Sequence, residues 1–378
     1  MSRLQTRIVT EMEDLRDLSR PWRDLAYERG CPTALPEWLL AWWKHKAPPA
    51  AHLRVVTVLD GKRLVGLAPF FLSPGKRVEY RLLGSPYVHR LAPLSAKGME
   101  SEVIDLVAST LAEADPRPDL VGLDAVDEAA SWPNELAAAW PGRLKPWRYT
   151  WSRIPAPVIS LDGTYEEWFA ARSANFRHQM RKTMRRLERN GGRIVLARGR
   201  AELAHACNRF AELHALRWQQ RGEHSYLDSG WFAMVEEAAQ SLAPRDELRL
   251  WTLLLDGQVF GVQLFLAAGG EVHSFASGWD PAVANYRPAL LLQLAATEDA
   301  FARGERRLDL GGGPYAYKLR FATGNAPVVW GGLVPRTRRY PLVRARLAPA
   351  QARHLLHPIT RRLPSGLRKQ LKRMLKRS

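Results

Sequence analysis

The 378 residues suffice for two ordinary domains, and 46% hydrophobic with 25% charged residues is a globular balance that excludes wholesale disorder. No apolar run approaches the ~20 residues of a spanning helix, and two isolated cysteines, Cys31 and Cys207, exclude a disulfide framework. The net charge of +18 resembles a nucleic-acid signature until it is mapped: residues 310–378 hold 16 Lys and Arg without one Asp or Glu, while 40 basic and 38 acidic residues in 1–309 nearly cancel.

From the N-terminus, Met1-Ser-Arg-Leu-Gln-Thr-Arg leads into an acidic amphipathic stretch rather than the apolar core of a signal peptide, and with the sparse cysteines this points to a reducing cytoplasm. Pro36–Trp43 reads as a helix. Residues 55–72 form two apolar runs around Asp60-Gly61, a β-hairpin signal. A helix near Glu102–Ala114 follows, then a strand ending Gly122-Leu-Asp124. The Pro-containing stretch Trp151–Pro157 is a border. Between Arg172 and Arg193 eight basic residues accompany only Glu188, and Arg177, Arg181, Arg185 and Arg189 repeat every four residues as one stripe, with Lys182 and Arg186 alongside. Such a run is either a solvated face or a seat for an anionic partner.

Helices at Ala201–Arg221 and Trp231–Gln240 come next, then a second hairpin at 251–267 around Asp256-Gly257. Period-two alternation in the next strand places His273, Phe275 and Ser277 on one face. A helix at Ala289–Arg303 and a strand ending Arg307-Leu-Asp309 complete the same order of elements as in the first half. The chain therefore reads as a duplicated mixed α/β unit, with lobes at 1–155 and 156–340 and a basic amphipathic tail at 341–378. Only the second copy continues into Gly311-Gly-Gly, a helix opened by Pro314, and Tyr315, Tyr317 and Lys318, so chemistry is expected there and the first lobe is expected to be degenerate. In the tail, Leu367, Leu371, Met374 and Leu375 fall at helical spacing between basic residues, a pattern suited to an anionic membrane surface or to RNA phosphates.

Over residues 30–325 these pieces resemble a known group. Cys31-Pro-Thr-Ala-Leu-Pro-Glu-Trp-Leu-Leu-Ala-Trp-Trp43, Gly66-Leu-Ala-Pro69, Asn175-Phe-Arg-His-Gln-Met-Arg-Lys-Thr-Met-Arg-Arg-Leu-Glu188, Ser277-Gly-Trp-Asp280, and Asp309 with Tyr317-Lys318 occur in the order found in GNAT-type acyltransferases of the CelD-like family. These are relatives of the Fem-type peptidyltransferases, which fuse two GNAT lobes. This chain has Arg287-Pro288-Ala289 where the family usually has Ser-Pro-Gly.

The resemblance implies direct transfer of an acyl group from a thioester to an amine in one ternary complex, with acyl-CoA as co-substrate and no metal. It implies a pyrophosphate cradle at the crossover-helix start from Arg287, Ala289 and Leu290, with Ser277 beside the reacting carbonyl. Tyr315 or Tyr317 would protonate the leaving thiolate, and Lys318 would lie near the acyl donor. Asp309 would orient the Lys or a tyrosine, or cap the helix. Arg181 and Arg185 are candidates for holding the acceptor substrate, an amine-bearing small molecule or envelope precursor. Two rivals stay open: a Fem-like transferase drawing on aminoacyl-tRNA, and a non-enzymatic RNA- or membrane-binding protein. The expected location is the cytoplasm, at its periphery on the inner membrane face if the tail binds lipid.

Overall fold

Two hairpins set the plan. Strands His52–Asp60 and Arg63–Ser73 form the first, and Leu248–Leu255 and Gln258–Ala268 form the second. In the latter, Asp256 (φ 47°) and Gly257 (φ 78°) both adopt the left-handed region that the tight hairpin turn requires. In each hairpin the pairing slips by one residue near the turn, just past Val58 opposite Gly66 and just past Leu253 opposite Gly261. Both glycines lie under a crossover helix. A Cβ on Gly66 would approach Val103 of helix Glu100–Glu113 to 2.6 Å, and one on Gly261 would meet Leu292 and Pro288 of helix Pro288–Ala302 at 3.3 Å. Each crossover helix then feeds a strand, Leu120–Asp127 or Arg307–Asp309, that pairs parallel with an earlier strand of its own sheet. The protein is thus a mixed α/β fold built twice.

This computed structural model describes residues 4–219, 227–313 and 315–361. The tail leucines from Leu367 onward, Pro314, and residues 220–221 at the expected end of the Ala201–Arg221 helix lie outside them. That helix runs Gly199–Gln219 among the described residues, and no helix among them is long and apolar enough to cross a membrane. Both cysteines are buried thiols, and neither forms a disulfide.

The two compact units interleave along the chain, in contrast to the contiguous borders at 155 and 340. One comprises residues 1–11, 48–154 and 328–378; the other comprises 12–47 and 155–327. The first sheet runs in the order Gln5–Val9, His52–Asp60, Arg63–Ser73, Glu79–Leu82, Leu120–Asp127, Val328–Val334, Trp147–Ile154. The Trp151–Pro157 border therefore begins inside an edge strand, and the chain leaves it at Pro155. The second sheet runs Gly324–Asn325, Pro157–Ser160, Arg307–Asp309, Glu271–Trp279, Gln258–Ala268, Leu248–Leu255, Arg193–Leu196.

Aromatic burial explains why residues 12–47 join the second unit. Trp38 of helix Pro36–Lys46 is fully buried, edge-on to Phe275 (5.0 Å between ring centroids) and Trp231 (5.8 Å). This helix precedes the first hairpin in sequence but belongs to the other unit, which corrects the expectation that each hairpin keeps its own preceding helix.

Within the second unit, helices Pro36–Lys46, Gly199–Gln219 and Ser229–Leu242 cover one sheet face. The other face carries the crossover helix Pro288–Ala302 and the basic helix Ala174–Arg189, whose Phe176, Met180 and Leu187 share a core with Phe265, Leu291 and Leu292. Ser173 starts the basic helix by accepting the Phe176 N–H at 3.2 Å.

Strand Glu271–Trp279 is bulged. Leu264 pairs with Ala276 but Phe265 pairs with Ser274, so Phe275 has no partner of its own. Cross-strand partners share a face, so Ser274 and Ser277 lie with Phe265 and Gln263, whereas His273 and Ala276 lie with Leu266 and Leu264. The expected common face of His273 and Ser277 is therefore broken by the one extra residue.

The glycine contacts predict an asymmetry between the lobes. Gly66→Ala should lower the stability of the folded protein by about 1–3 kcal/mol through overpacking against Val103, whereas Gly261→Ala, with room for small shifts, should cost under about 1 kcal/mol; urea denaturation of both variants measures the difference.

Candidate acyl-transfer site

The site begins where two strands part. Glu271, Val272 and His273 pair with Arg307, Leu308 and Asp309, and the ladder stops there. Asp309, nearly fully buried, accepts the Gly311 N–H at 2.6 Å and turns the chain away. Gly311 has φ 77°, and a Cβ there would lie 3.3 Å from the Ser274 carbonyl oxygen, so conformation and space both call for glycine. The Leu310 and Gly313 N–H groups donate to the carbonyls of Pro157 and Pro155, fixing the turn from its other side. Asp309 therefore serves the glycine turn and does not cap the following helix, whose N-cap residue is Tyr315.

That helix, Ala316–Phe321, carries Lys318 inward. Its Nζ is buried and donates to the carbonyls of Gly311 (3.0 Å) and Gly312 (2.9 Å), and it lies 5.4 Å from the Tyr315 ring centroid. Burial lowers its pKa from 10.5 to about 8, while the charge of Asp309 pulls the other way. Tyr315 is exposed, and Tyr317 packs against the core with its ring stacked on Tyr315 at 6.2 Å.

The far end of this helix is held by residues that the sequence placed only within a basic run or not at all. Arg172 donates to the Phe321 and Ala322 carbonyls (3.2 and 2.9 Å), and Trp168 Nε1 donates to the Phe321 carbonyl at 3.3 Å. These bonds satisfy carbonyls that a short helix leaves open at its C-terminus. Burial lowers the Arg172 pKa. Its place at the head of the basic run was the only signal available beforehand.

Beyond the parted strands, the chain passes through a 3-10 turn, Pro281–Tyr286, into the crossover helix. Arg287 precedes that helix with φ 51°, left-handed backbone that costs a non-glycine residue about 1–2 kcal/mol. Its carbonyl accepts both the Leu290 N–H (2.9 Å) and the Leu291 N–H (3.2 Å). Pro288 has no N–H, so among the described residues Ala289 supplies the one first-turn amide with no backbone acceptor. The expected cradle of Ala289 and Leu290 amides thus reduces to Ala289 plus side chains.

Those side chains are basic. Arg287 is exposed, Arg186 lies over the Tyr286 ring at 5.3 Å, and Arg320 donates to Gln179 at 2.7 Å. Burial, then the like charge of Arg287, lowers the Arg320 pKa. Arg186 and Arg320 therefore flank the helix start; the sequence placed Arg186 only alongside the basic stripe and did not single out Arg320. Arg181 instead lies over Phe169 (5.3 Å), within the aromatic group of Tyr165, Trp168 and Phe301 at the other end of the crossover helix. Arg185 is exposed and accepts a bond from Arg189 only through its backbone carbonyl. Ser277 Oγ accepts from Arg217 at 2.9 Å. Among the described residues no three His, Cys, Asp or Glu side chains gather as a metal site.

The first unit treats the matching aspartate differently. Asp124 forms a part-buried salt bridge with Arg81 (2.5 Å) and a hydrogen bond with Ser85, and its strand continues to Asp127 with no glycine turn.

The acetyltransferase (GNAT) domain model matches residues 174–319. The whole chain is similar in fold to a crystal structure of FemX, with TM-score 0.64 and 11% identity over 90% of this chain and 99% of that one. It also resembles the C-terminal domain of a lysylphosphatidylglycerol synthetase from Agrobacterium fabrum, with TM-score 0.57 and 10% identity over 88% and 97% of the two chains. An L-PGS structure from Bacillus licheniformis aligns with TM-score 0.52 and 12% identity over 90% and 95%. Among curated proteins no sequence matches. The matched segment contains the parted strands, the crossover helix and the glycine turn, so residues 174–319 are similar to an acetyltransferase (GNAT) domain, and the chain as a whole shares the fold of FemX.

Proposed function

We propose that the protein is an acyl-CoA-dependent N-acyltransferase acting on an amine of a small molecule or an envelope precursor, with its chemistry in the second unit. One observation carries this reading. Among the described residues the strand segment Ser274–Ser277 has no ladder partner on the side of Arg307–Asp309; the buried Lys318 turn stands at its start, and the start of the crossover helix, with Arg186, Arg287 and Arg320, follows its end. Arg217 donates to the Ser277 carbonyl at 3.3 Å, and the remaining backbone groups of this edge can bond a pantetheine-like amide chain. The guanidinium groups and the helix dipole suit its phosphates.

Neutral Lys318 has two N–H groups, both directed at the glycine carbonyls, which leaves its lone pair for a proton. In the transfer step the acceptor nitrogen bonds to the acyl carbon, the carbon–sulfur bond breaks, and the acceptor's proton passes to Lys318. Tyr317 or Tyr315 returns a proton to the thiolate. A lysine tuned by burial to about 8 suits a base working near neutral pH. A second reading, aminoacyl-tRNA as donor, is favoured by the exposed basic face of helix Ala174–Arg189.

Calorimetric titration with CoA and acetyl-CoA tests the donor. Saturable binding is expected, weakened about tenfold or more in Arg287→Gly through loss of a charge-assisted bond, while the thermal midpoint stays level or rises because glycine accepts φ 51°. Absence of binding, together with RNase-sensitive transfer, would replace CoA by tRNA.

Two further outcomes follow for Lys318. Lys318→Met should lower kcat about a hundredfold, and wild-type kcat/KM should rise with pH through a limb near 8 that the variant lacks; a fall above pH 8 would assign the role to the ammonium instead. The linkage has a matching sign. Because the folded pKa is depressed, the unfolded chain binds the extra proton between about 8 and 10.5, so wild-type stability relative to Lys318→Met should rise with pH across that window in urea titrations.

A further inference from the structure

Helix Tyr340–Arg361 has two apolar faces, and the fold uses one. Tyr340, Val343 and Leu347 pack on Leu120, Tyr149, Val334 and Trp147 of the first unit. On the opposite side Leu342, Ala345, Pro349, Ala352 and Leu356 recur at alternating steps of three and four, which makes a continuous stripe along a helix. Leu342 is 72% exposed, and Leu355 at the edge of the stripe is 62% exposed. Arg346 and Arg353 are exposed along one flank, and Arg344 lies on the packed side, over the Trp147 and Tyr340 rings.

A helix docked on a sheet ordinarily turns a polar face outward; this one presents leucines bordered by arginines. We propose that the outer face of helix Tyr340–Arg361 is a docking surface for an anionic lipid bilayer, its leucines entering the headgroup boundary and its arginines meeting phosphate groups. Charge selects the occupant. From Leu310 to the last residue the chain has no acidic side chain, so a second copy of this helix, or the chain's own basic residues 362–378, would bring only like charge to the arginines. A nucleic acid would satisfy the arginines but give exposed leucines nothing to bury against. An anionic bilayer serves both.

Co-sedimentation of the full chain with vesicles tests this. Vesicles of one part phosphatidylglycerol to two parts phosphatidylcholine should bind it in a salt-sensitive manner, and pure phosphatidylcholine vesicles at least about tenfold more weakly. Leu342→Asp combined with Leu356→Asp, with circular dichroism and thermal midpoint unchanged, should weaken binding more than about tenfold, and Arg346→Ala with Arg353→Ala by about tenfold or more. Undiminished binding by the folded leucine variant, equal binding to neutral vesicles, binding of a short RNA duplex in place of vesicles, or a dimer by sedimentation equilibrium that the leucine variant abolishes would each overturn the proposal.

Discussion

One extra residue, Phe275, organises the second unit. Its ring is held by Trp38 and Trp231, with ring centroids 5.0 and 5.1 Å away, so the strand cannot slip back into regular pairing without moving buried aromatics. Such pairs contribute about 0.5–1.5 kcal/mol each beyond burial. The displaced register turns Ser274 and Ser277 to the crossover-helix side, where Gln263 donates to Ser274 and to Gln293. The same strand loses its neighbour after Asp309. The open edge and the glycine turn that carries Lys318 thus depend on packing on the opposite face of the sheet.

The two units also show how one plan yields different electrostatics. Asp124 is paired with Arg81 at a bulge of its strand, where Ala125 takes φ 50°, so its charge is engaged within the sheet. Asp309 ends its strand and spends its oxygen on the Gly311 amide, and its remaining charge is felt by Lys318. A cation facing two carbonyl dipoles in a buried place still loses proton affinity, which means that desolvation outweighs both favourable influences.

Much of this was legible in the residues. Asp-Gly turns between apolar runs gave both hairpins, helical periodicity gave both crossover helices, and the triple glycine with Tyr317 and Lys318 marked the unit that differs. What was not legible shares a cause: it depends on contacts distant in sequence. The attachment of Trp38 to Phe275 crosses more than two hundred residues. The bulge leaves no mark in a strand whose alternation looks regular, and Arg172 reaches carbonyls that belong to Phe321 and Ala322. A basic stripe counted along one helix likewise could not reveal that Arg186 points to the crossover-helix start while Arg181 covers Phe169.

The interleaving of the units bears on how the chain can be made and divided. Strand Val328–Val334 sits between Leu120–Asp127 and Trp147–Ile154, so during synthesis the first sheet stays open at its middle until residues 328–334 have left the ribosome. Cutting at residue 155 would yield one piece lacking an interior strand and another lacking the Trp38 helix. The duplication visible in the hairpins therefore no longer supplies two independent modules. The halves have traded segments, and each now completes its core with residues borrowed from the far end of the other.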